Sequence, residues 1–469
     1  MRIALCGTVR EPSRSFARTN FTCNYLQLMA LHAIDDTIST ASRFLALLVA
    51  PDRTHYDPPL SMGTFDMAST LLTGNAVIGQ SGGPTAVINQ SLVGCVETLR
   101  QSRNIRKVLG AVHAVRGMVE GNFIDLTSIP QERLDRVAQT PSAALGSSRD
   151  KPDAAYCEKI FQSFAKHDVR YFFYIGGNDS SDTCRIINDK ARAAGYELRC
   201  FHIPKTIDND LECNDHTPGF GSAARYVACA FLGDNLDNRA LPGIKINVVM
   251  GRHAGFLTAA SSLARQNRDD GPHLIYLPET PFDDRKFLED VDRVYAKHGR
   301  CLIAVSEGIS DANKTPVAVK LALEQGHHVE RDSHGNVQLS GTGALGDFLS
   351  QHLKKNLGKK LRVRADTFGY VQRCFAGCVS EADRREAREV GRRAAQVATM
   401  GDLDGSITIN RTSDDPYTVQ YGLAKLTDIA AKTRHVPQEW IEDGNNIADE
   451  FVRYASPIVG PLPVVERLV

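Results

Sequence analysis

Six short apolar runs, each ending in glycine or a charged cluster, constrain this chain more than any other feature. They are Asn75 to Gln80 before Ser81-Gly82-Gly83-Pro84, Tyr171 to Ile175 before Gly176-Gly177-Asn178-Asp179-Ser180, and Leu198 to Ile203 before Pro204 to Asp210. Ile244 to Val249 then precedes Met250-Gly251-Arg252-His253, Cys301 to Val305 precedes Ser306-Glu307-Gly308, and Arg362 to Phe368 precedes Gly369 to Arg373. Helical patterns lie between them, one from about Thr85 to Gln101 and another that stops near Gly195. Strand and helix signals in alternation predict βαβ units and parallel sheets. Open α/β sheets bind ligands outside the carboxyl ends of their strands. One active site rimmed by these six ends accounts for the clusters better than six unrelated accidents.

The segment Pro204-Lys205-Thr206-Ile207-Asp208-Asn209-Asp210 carries the densest chemistry. Its two carboxylates allow one to act as a base while the other addresses a metal. Lys205 supplies a point charge for phosphate oxygens. Gly82-Gly83 and Gly176-Gly177 each open a helix, where backbone N–H groups approach a phosphate closely and the helix presents its positive end. Either doublet alone is more often plain turn geometry than a binding site, but together with the lysine and the carboxylates they read as phosphoryl transfer to a hydroxyl.

Composition removes other classes. The 469 residues carry 55 basic and 55 acidic side chains, so no global field favours nucleic acid or an anionic membrane. No run approaches the roughly 18 apolar residues of a membrane span. The eleven cysteines are scattered; only Cys374 and Cys378 stand close, without a second pair for zinc. That pattern fits free thiols in a reducing cytoplasm, and a cytoplasmic location is expected. Residues 1–70 have no sustained period and no secretory signal pattern. They read as a poorly ordered extension, dispensable up to Met67. His253, His327 and His328 lack metal-ligand spacing and read as solvent or core histidines. Glu381 to Arg393 reads as a solvated amphipathic helix. Arg362 and Arg364 lie on a strand with one wet face, suited to an interface.

From about Asn75 to its C-terminus the chain resembles the 6-phosphofructokinase family. The resemblance rests on motifs in order: Gly82-Gly83, Gly146-Ser147-Ser148-Arg149, Gly176 to Ser180, Thr206 to Asp210, Met250-Gly251-Arg252, Glu307-Gly308, and Tyr370 with Arg373. It implies an α/β fold of two Rossmann-like parallel-sheet subdomains with the active site between them. Residues 71–205 would bind the diphosphate, 206–400 the sugar phosphate, and 401–469 would pack back on the core.

Two positions resemble the pyrophosphate-dependent branch. Where ATP users have glycine as the fourth residue of the second loop, this chain has Asp179, whose carboxylate would repel a nucleotide's α-phosphate. Where they again have glycine, it has Lys205. The resemblance implies Asp208 as the base toward the C1 hydroxyl of fructose 6-phosphate. Lys205, Arg149 and Gly82 would hold the donor. Thr206, Met250, Gly251, Arg252, Glu307, Tyr370 and Arg373 would seat the sugar phosphate, with Arg364 reaching a partner subunit in a homodimer or homotetramer. Lys205, Asp179 and Arg252 join Asp208 in the catalytic set. Mg2+ is the implied cofactor. Asn178 stands where many relatives place an aspartate ligand, so Asp210 (through water), Asp179 and the donor itself would add oxygens. Three alternatives are an ATP-dependent phosphofructokinase, a lipid- or NAD-kinase-like enzyme sharing only the second loop, and a non-catalytic regulatory subunit.

Overall fold

The structure is a computed structural model and describes residues 72–150, 152–324, 343–358, 360–401 and 403–468. The expected N-terminal extension, and His327 and His328, lie outside the described residues. A seven-stranded sheet contains β1 (Gly74–Gln80), β2 (Ile105–Ala111), β3 (Phe123–Asp125), β4 (Val169–Gly176), β5 (Arg199–Pro204), β10 (Gly405–Asp414) and β11 (Tyr417–Ala424). Its order is β11-β10-β5-β4-β1-β2-β3, with antiparallel pairing only at the two edges. A four-stranded parallel sheet contains β6 (Ile244–Val249), β7 (Leu274–Tyr276), β8 (Cys301–Ser306) and β9 (Val363–Thr367), in the order β7-β8-β6-β9.

Strand periodicity builds both faces of the first sheet. Ile78, Tyr171, Phe173, Phe201 and Ile203 point to one side, where they pack on α1 (Ile88–Leu99). Val77, Phe172, Tyr174 and Cys200 point to the other, against α2 (Asn178–Ala193). Residues alternate between faces along a strand, so these continuous apolar runs are buried on both sides. In the second sheet Ile246, Val248, Ile303 and Val305 face one core, while Leu302 and Ala304 face another with Phe231 of α3 (Phe220–Ala240).

Between β1 and β4 the strand order reverses, because β1 leads to β2 on one side and pairs with β4 on the other. Such a switch point opens a crevice at the carboxyl ends. Gly82-Gly83 and Gly176-Gly177 stand at that crevice.

Three local expectations differ from the structure. The first helix starts at Ile88 rather than Thr85, because the Gly82-Gly83-Pro84 turn extends through Val87. The charged stretch at Glu381 belongs to α4 (Glu381–Ala398), but the helix is not solvated all round. Its Val390 and Ala394 pack with Ile88 and Leu92, and Asp383 and Glu386 are each only 1% exposed. Both acids have buried partners: Asp383 accepts from Gly219 N, Ser222 N and Ser222 Oγ, and Glu386 from His216. Finally, β2 escapes the apolar-run pattern because Arg106 and Lys107 occupy its exposed start. Among the described residues no helix is long and apolar enough to cross a membrane.

Candidate active site

The carboxyl ends of both sheets open into a cavity of about 500 Å³. Its wall brings together Gly82, Arg149, Asn178, Asp179, Lys205, Thr206, Asp208, Asp210, Met250, Arg252, Glu307, Tyr370 and Arg373. Thirteen of the fifteen expected site residues therefore converge, although they span 292 positions of chain (82 to 373).

One side of the wall is built on β1, β4 and β5. Gly82 has φ +72°, a left-handed conformation that only glycine adopts without strain. Its N–H donates to Ser148 O at 3.0 Å, and its carbonyl accepts from Ser147 Oγ at 2.7 Å. The loop before Arg149 is thereby tied to the first glycine turn. Lys205 follows β5, is 3% exposed, and donates from Nζ to Gly83 O at 2.8 Å. A Cβ on Gly82 would lie 3.3 Å from that Nζ, so the lysine lies directly along the glycine loop. Burial, followed by repulsion from Arg373 and Arg149, lowers the Lys205 ammonium to about 7. An anion beside it would offset both effects, which is the electrostatic condition of a site waiting for a phosphate.

Asp208 and Asp210 face the same cavity. Burial raises the Asp208 carboxyl, opposed by Arg373, Arg252, His253 and Lys205. Asp210 rises to about 7 through burial and the neighbouring Asp208 charge. Between them Asn209 adopts φ +59°, which turns the chain out of strand geometry. Thr206 Oγ1 accepts from Asp208 N at 3.1 Å, and Asn178 Nδ2 donates to Asp210 Oδ2 at 3.1 Å. Asn178 Oδ1 and Asp208 Oδ1 are buried oxygens without a hydrogen-bond partner. Asp179 occupies the first turn of α2 and lines the wall.

The second sheet supplies the opposite wall. Met250 and Arg252 follow β6, and Glu307 follows β8 with its N–H on Val249 O. Tyr370 and Arg373 follow β9, the Arg373 guanidinium lying 4.3 Å over the Tyr370 ring.

Two expected residues are outside the wall. Gly251 has no side chain to offer and its carbonyl accepts from Ser306 Oγ, which shapes the turn between Met250 and Arg252. Arg364 is exposed on β9, an edge strand, and does not reach this chain's own cavity. Other wall residues escaped sequence reasoning. His253 is exposed, as a solvent histidine would be, but the face it exposes lines the cavity beside Arg252; partial burial and the Arg252 charge hold its imidazole below the usual value. Ala431 and Thr433 also reach the wall, from a stretch without a glycine or charge cluster at a strand end to signal it.

This fold and wall define a sugar-phosphate kinase architecture, and the family profile described as phosphofructokinase matches residues 75–398. The chain belongs to the phosphofructokinase family. It is 58% identical over 391 residues to the pyrophosphate–fructose 6-phosphate 1-phosphotransferase of Rhodospirillum rubrum, covering 83% of this chain and 95% of that one. The enzyme of the same name from Xanthomonas campestris is 37% identical over 399 residues, covering 83% and 92%. The crystal structure of a pyrophosphate-dependent phosphofructokinase from Nitrosospira multiformis aligns with a TM-score of 0.73 at 31% identity, covering 84% and 95%.

Proposed function

We infer that the chain catalyses reversible transfer of a phosphoryl group from pyrophosphate to the C1 hydroxyl of fructose 6-phosphate, releasing fructose 1,6-bisphosphate and phosphate. The observation that carries this reading is the pairing of Asp179 with the buried Lys205 in one cavity wall. A carboxylate at the mouth of the second glycine loop opposes a nucleotide's α-phosphate, and a buried ammonium favours a compact, highly charged donor. The names of the Rhodospirillum and Xanthomonas relatives support the same donor.

In this reading Lys205, Arg149 and the Gly82 turn hold the diphosphate. Arg252, Met250, Glu307, Tyr370 and Arg373 seat the sugar phosphate. Asp208, with its raised carboxyl and a buried oxygen lacking any protein partner, accepts the proton from the attacking hydroxyl. Charge spreads over the transferring phosphoryl oxygens, so positioning and electrostatics carry most of the rate.

The residues present suit Mg2+. Asn178 Oδ1 is a partnerless buried oxygen beside the Asp210 carboxylate, a hard-donor pair appropriate to a hard cation. Among the described residues no cluster of three acids, histidines or cysteines forms a dedicated metal cage. Asn178 and Asp210 would hold the ion together with donor oxygens and water, as Mg2+ usually prefers. When bound, it neutralises charge on the donor phosphates.

Arg364, exposed on an edge strand, would reach the sugar-phosphate side of a partner subunit in a homo-oligomer. The first sheet, with β10 and β11, would form the donor half and the second sheet the acceptor half. The free thiols and the absence of a membrane-crossing helix among the described residues suit a cytoplasmic enzyme. The decisive test compares pyrophosphate with ATP, using fructose 6-phosphate and Mg2+. Turnover with pyrophosphate and little with ATP is expected; a preference for ATP overturns the reading.

A further inference from the structure

The segment that carries Asp208 and Asp210 is fixed from outside the family-matched stretch. Tyr454 lies on α5 (Asp449–Val459), beyond residue 398 where the match ends. Its hydroxyl donates to Asp215 O at 2.7 Å and accepts from Asn209 Nδ2 at 2.8 Å. Asn209 is fully buried and holds φ +59° between the two carboxylates. Its own Oδ1 accepts from Thr217 N at 3.0 Å, and Thr217 Oγ1 donates to Thr206 O at 3.0 Å. Asparagine tolerates the left-handed region better than most residues, but that conformation still needs its surroundings to hold it. Here both ends of the Asn209 amide are held, one by the loop itself and one by Tyr454.

The ring of Tyr454 is fixed in turn. Its centroid lies 4.9 Å from that of Trp440, and the Arg411 guanidinium sits 4.7 Å over it. Arg434 closes the same side, its N–H on Asp210 O at 2.8 Å and its guanidinium on Asp215 O. The phenol is buried, which raises it above its usual value and keeps it a donor at neutral pH.

We propose that Tyr454 is a positioning residue for phosphoryl transfer: its hydroxyl locks Asn209, and that lock aims Asp208 into the cavity. The inference rests on the reading of Asp208 as the base. Tyr454 touches neither substrate, so its loss acts on turnover and not on binding. A reacting group displaced by a fraction of an ångström loses rate while the binding wall stays intact.

The test is a double-mutant cycle in the full chain with pyrophosphate, fructose 6-phosphate and Mg2+. Tyr454→Phe keeps the ring packing and removes only the hydroxyl. It should lower kcat about tenfold, the scale of one lost buried hydrogen bond, with both KM values unchanged. In an Asp208→Asn background the same change should have no further effect, because the group it aims is gone. Should Tyr454→Phe fold poorly, Asn209→Gly keeps the left-handed backbone accessible while removing the Tyr454 bond together with the Thr217 bond, and it must give at least the same loss, confined to kcat. An unchanged kcat, a loss that appears in KM, or a loss that multiplies with Asp208→Asn overturns the proposal, the last because a merely structural defect multiplies. The base assignment fails separately, through an Asp208→Asn single variant that keeps full turnover, and the inference then falls with it.

Discussion

Replacing Asp208 by asparagine removes a proton acceptor while preserving shape. Asp208 Oδ1 has no hydrogen-bond partner in the protein, so the substitution sacrifices no bond through that oxygen. A well-placed general base contributes roughly 10²–10⁴ in rate, equivalent to about 3–5 kcal/mol of barrier. Turnover should fall by that factor. Binding should respond differently. Arg373, Arg252, His253 and Lys205 all act on the Asp208 carboxylate, and its removal leaves these groups less compensated. They should hold anionic substrates as well as before or better, so KM for fructose 6-phosphate should stay constant or fall. The pH profile adds a second check. Burial holds the Asp208 carboxyl above its ordinary range, and the Asp208 charge is one cause of the rise of Asp210 to about 7. In wild type the acid limb of kcat/KM should therefore lie above the usual carboxylate range. In the variant the Asp208 limb is lost, and any limb from Asp210 moves to lower pH. Steady-state kinetics from pH 5 to 9 on both proteins measures all three quantities. A large rise in KM with nearly unchanged kcat would make Asp208 a binding residue and refute the reasoning.

Donor choice should depend on two residues jointly: Asp179→Gly should gain weak ATP use, the double variant with Lys205→Gly more, and both should lose most pyrophosphate activity. If Asp179→Gly gains no ATP turnover in assays with both donors, the electrostatic account of donor choice is wrong. His216 should make stability pH-dependent. Burial alone would push its imidazole down, but hydrogen bonds to Asp215 at 2.7 Å and Glu386 at 2.5 Å carry it up to about 9. A shift from 6.5 to about 9 corresponds to about 3 kcal/mol, fully present below pH 6.5 and lost as pH rises through 9. Thermal melts at pH 6 and 9.5 should show a smaller drop in His216→Gln than in wild type, and equal drops would exclude the charged imidazole. Gly94→Ala should destabilise, because a Cβ there would lie 2.1 Å from Arg388 O where α1 crosses α4. Overpacking of this kind costs about 1–3 kcal/mol, and an unchanged melting temperature would mean that the two helices separate freely.

Much of the site was legible before any coordinates. Glycine and charge at the ends of apolar runs are local signals, and a parallel sheet necessarily gathers its carboxyl ends on one edge. That is why Gly82, Asp179, Lys205, Asp208, Arg252, Glu307 and Arg373 could be chosen from a single chain, and why they meet in one cavity. The resemblance of Asp179 and Lys205 to one branch of a family is likewise a property of the letters. The sequence alone thus determined the βαβ architecture, most of the charged members of the wall and the kind of chemistry they suit.

Tertiary structure decided what depends on contacts distant in the chain. The acids of α4 look like a solvated face, because charge at helical spacing is the usual mark of one. Asp383 and Glu386 are buried instead because α3 offers them N–H groups and His216 offers a ring nitrogen. His253 lacked any ligand spacing, yet the turn after β6 carries it into the cavity wall. Tyr454 is one tyrosine among thirteen in the sequence, and no periodicity links it to Asn209, which lies 245 residues away. A hydrogen bond across that separation depends on where α5 comes to rest, and only the folded chain specifies that.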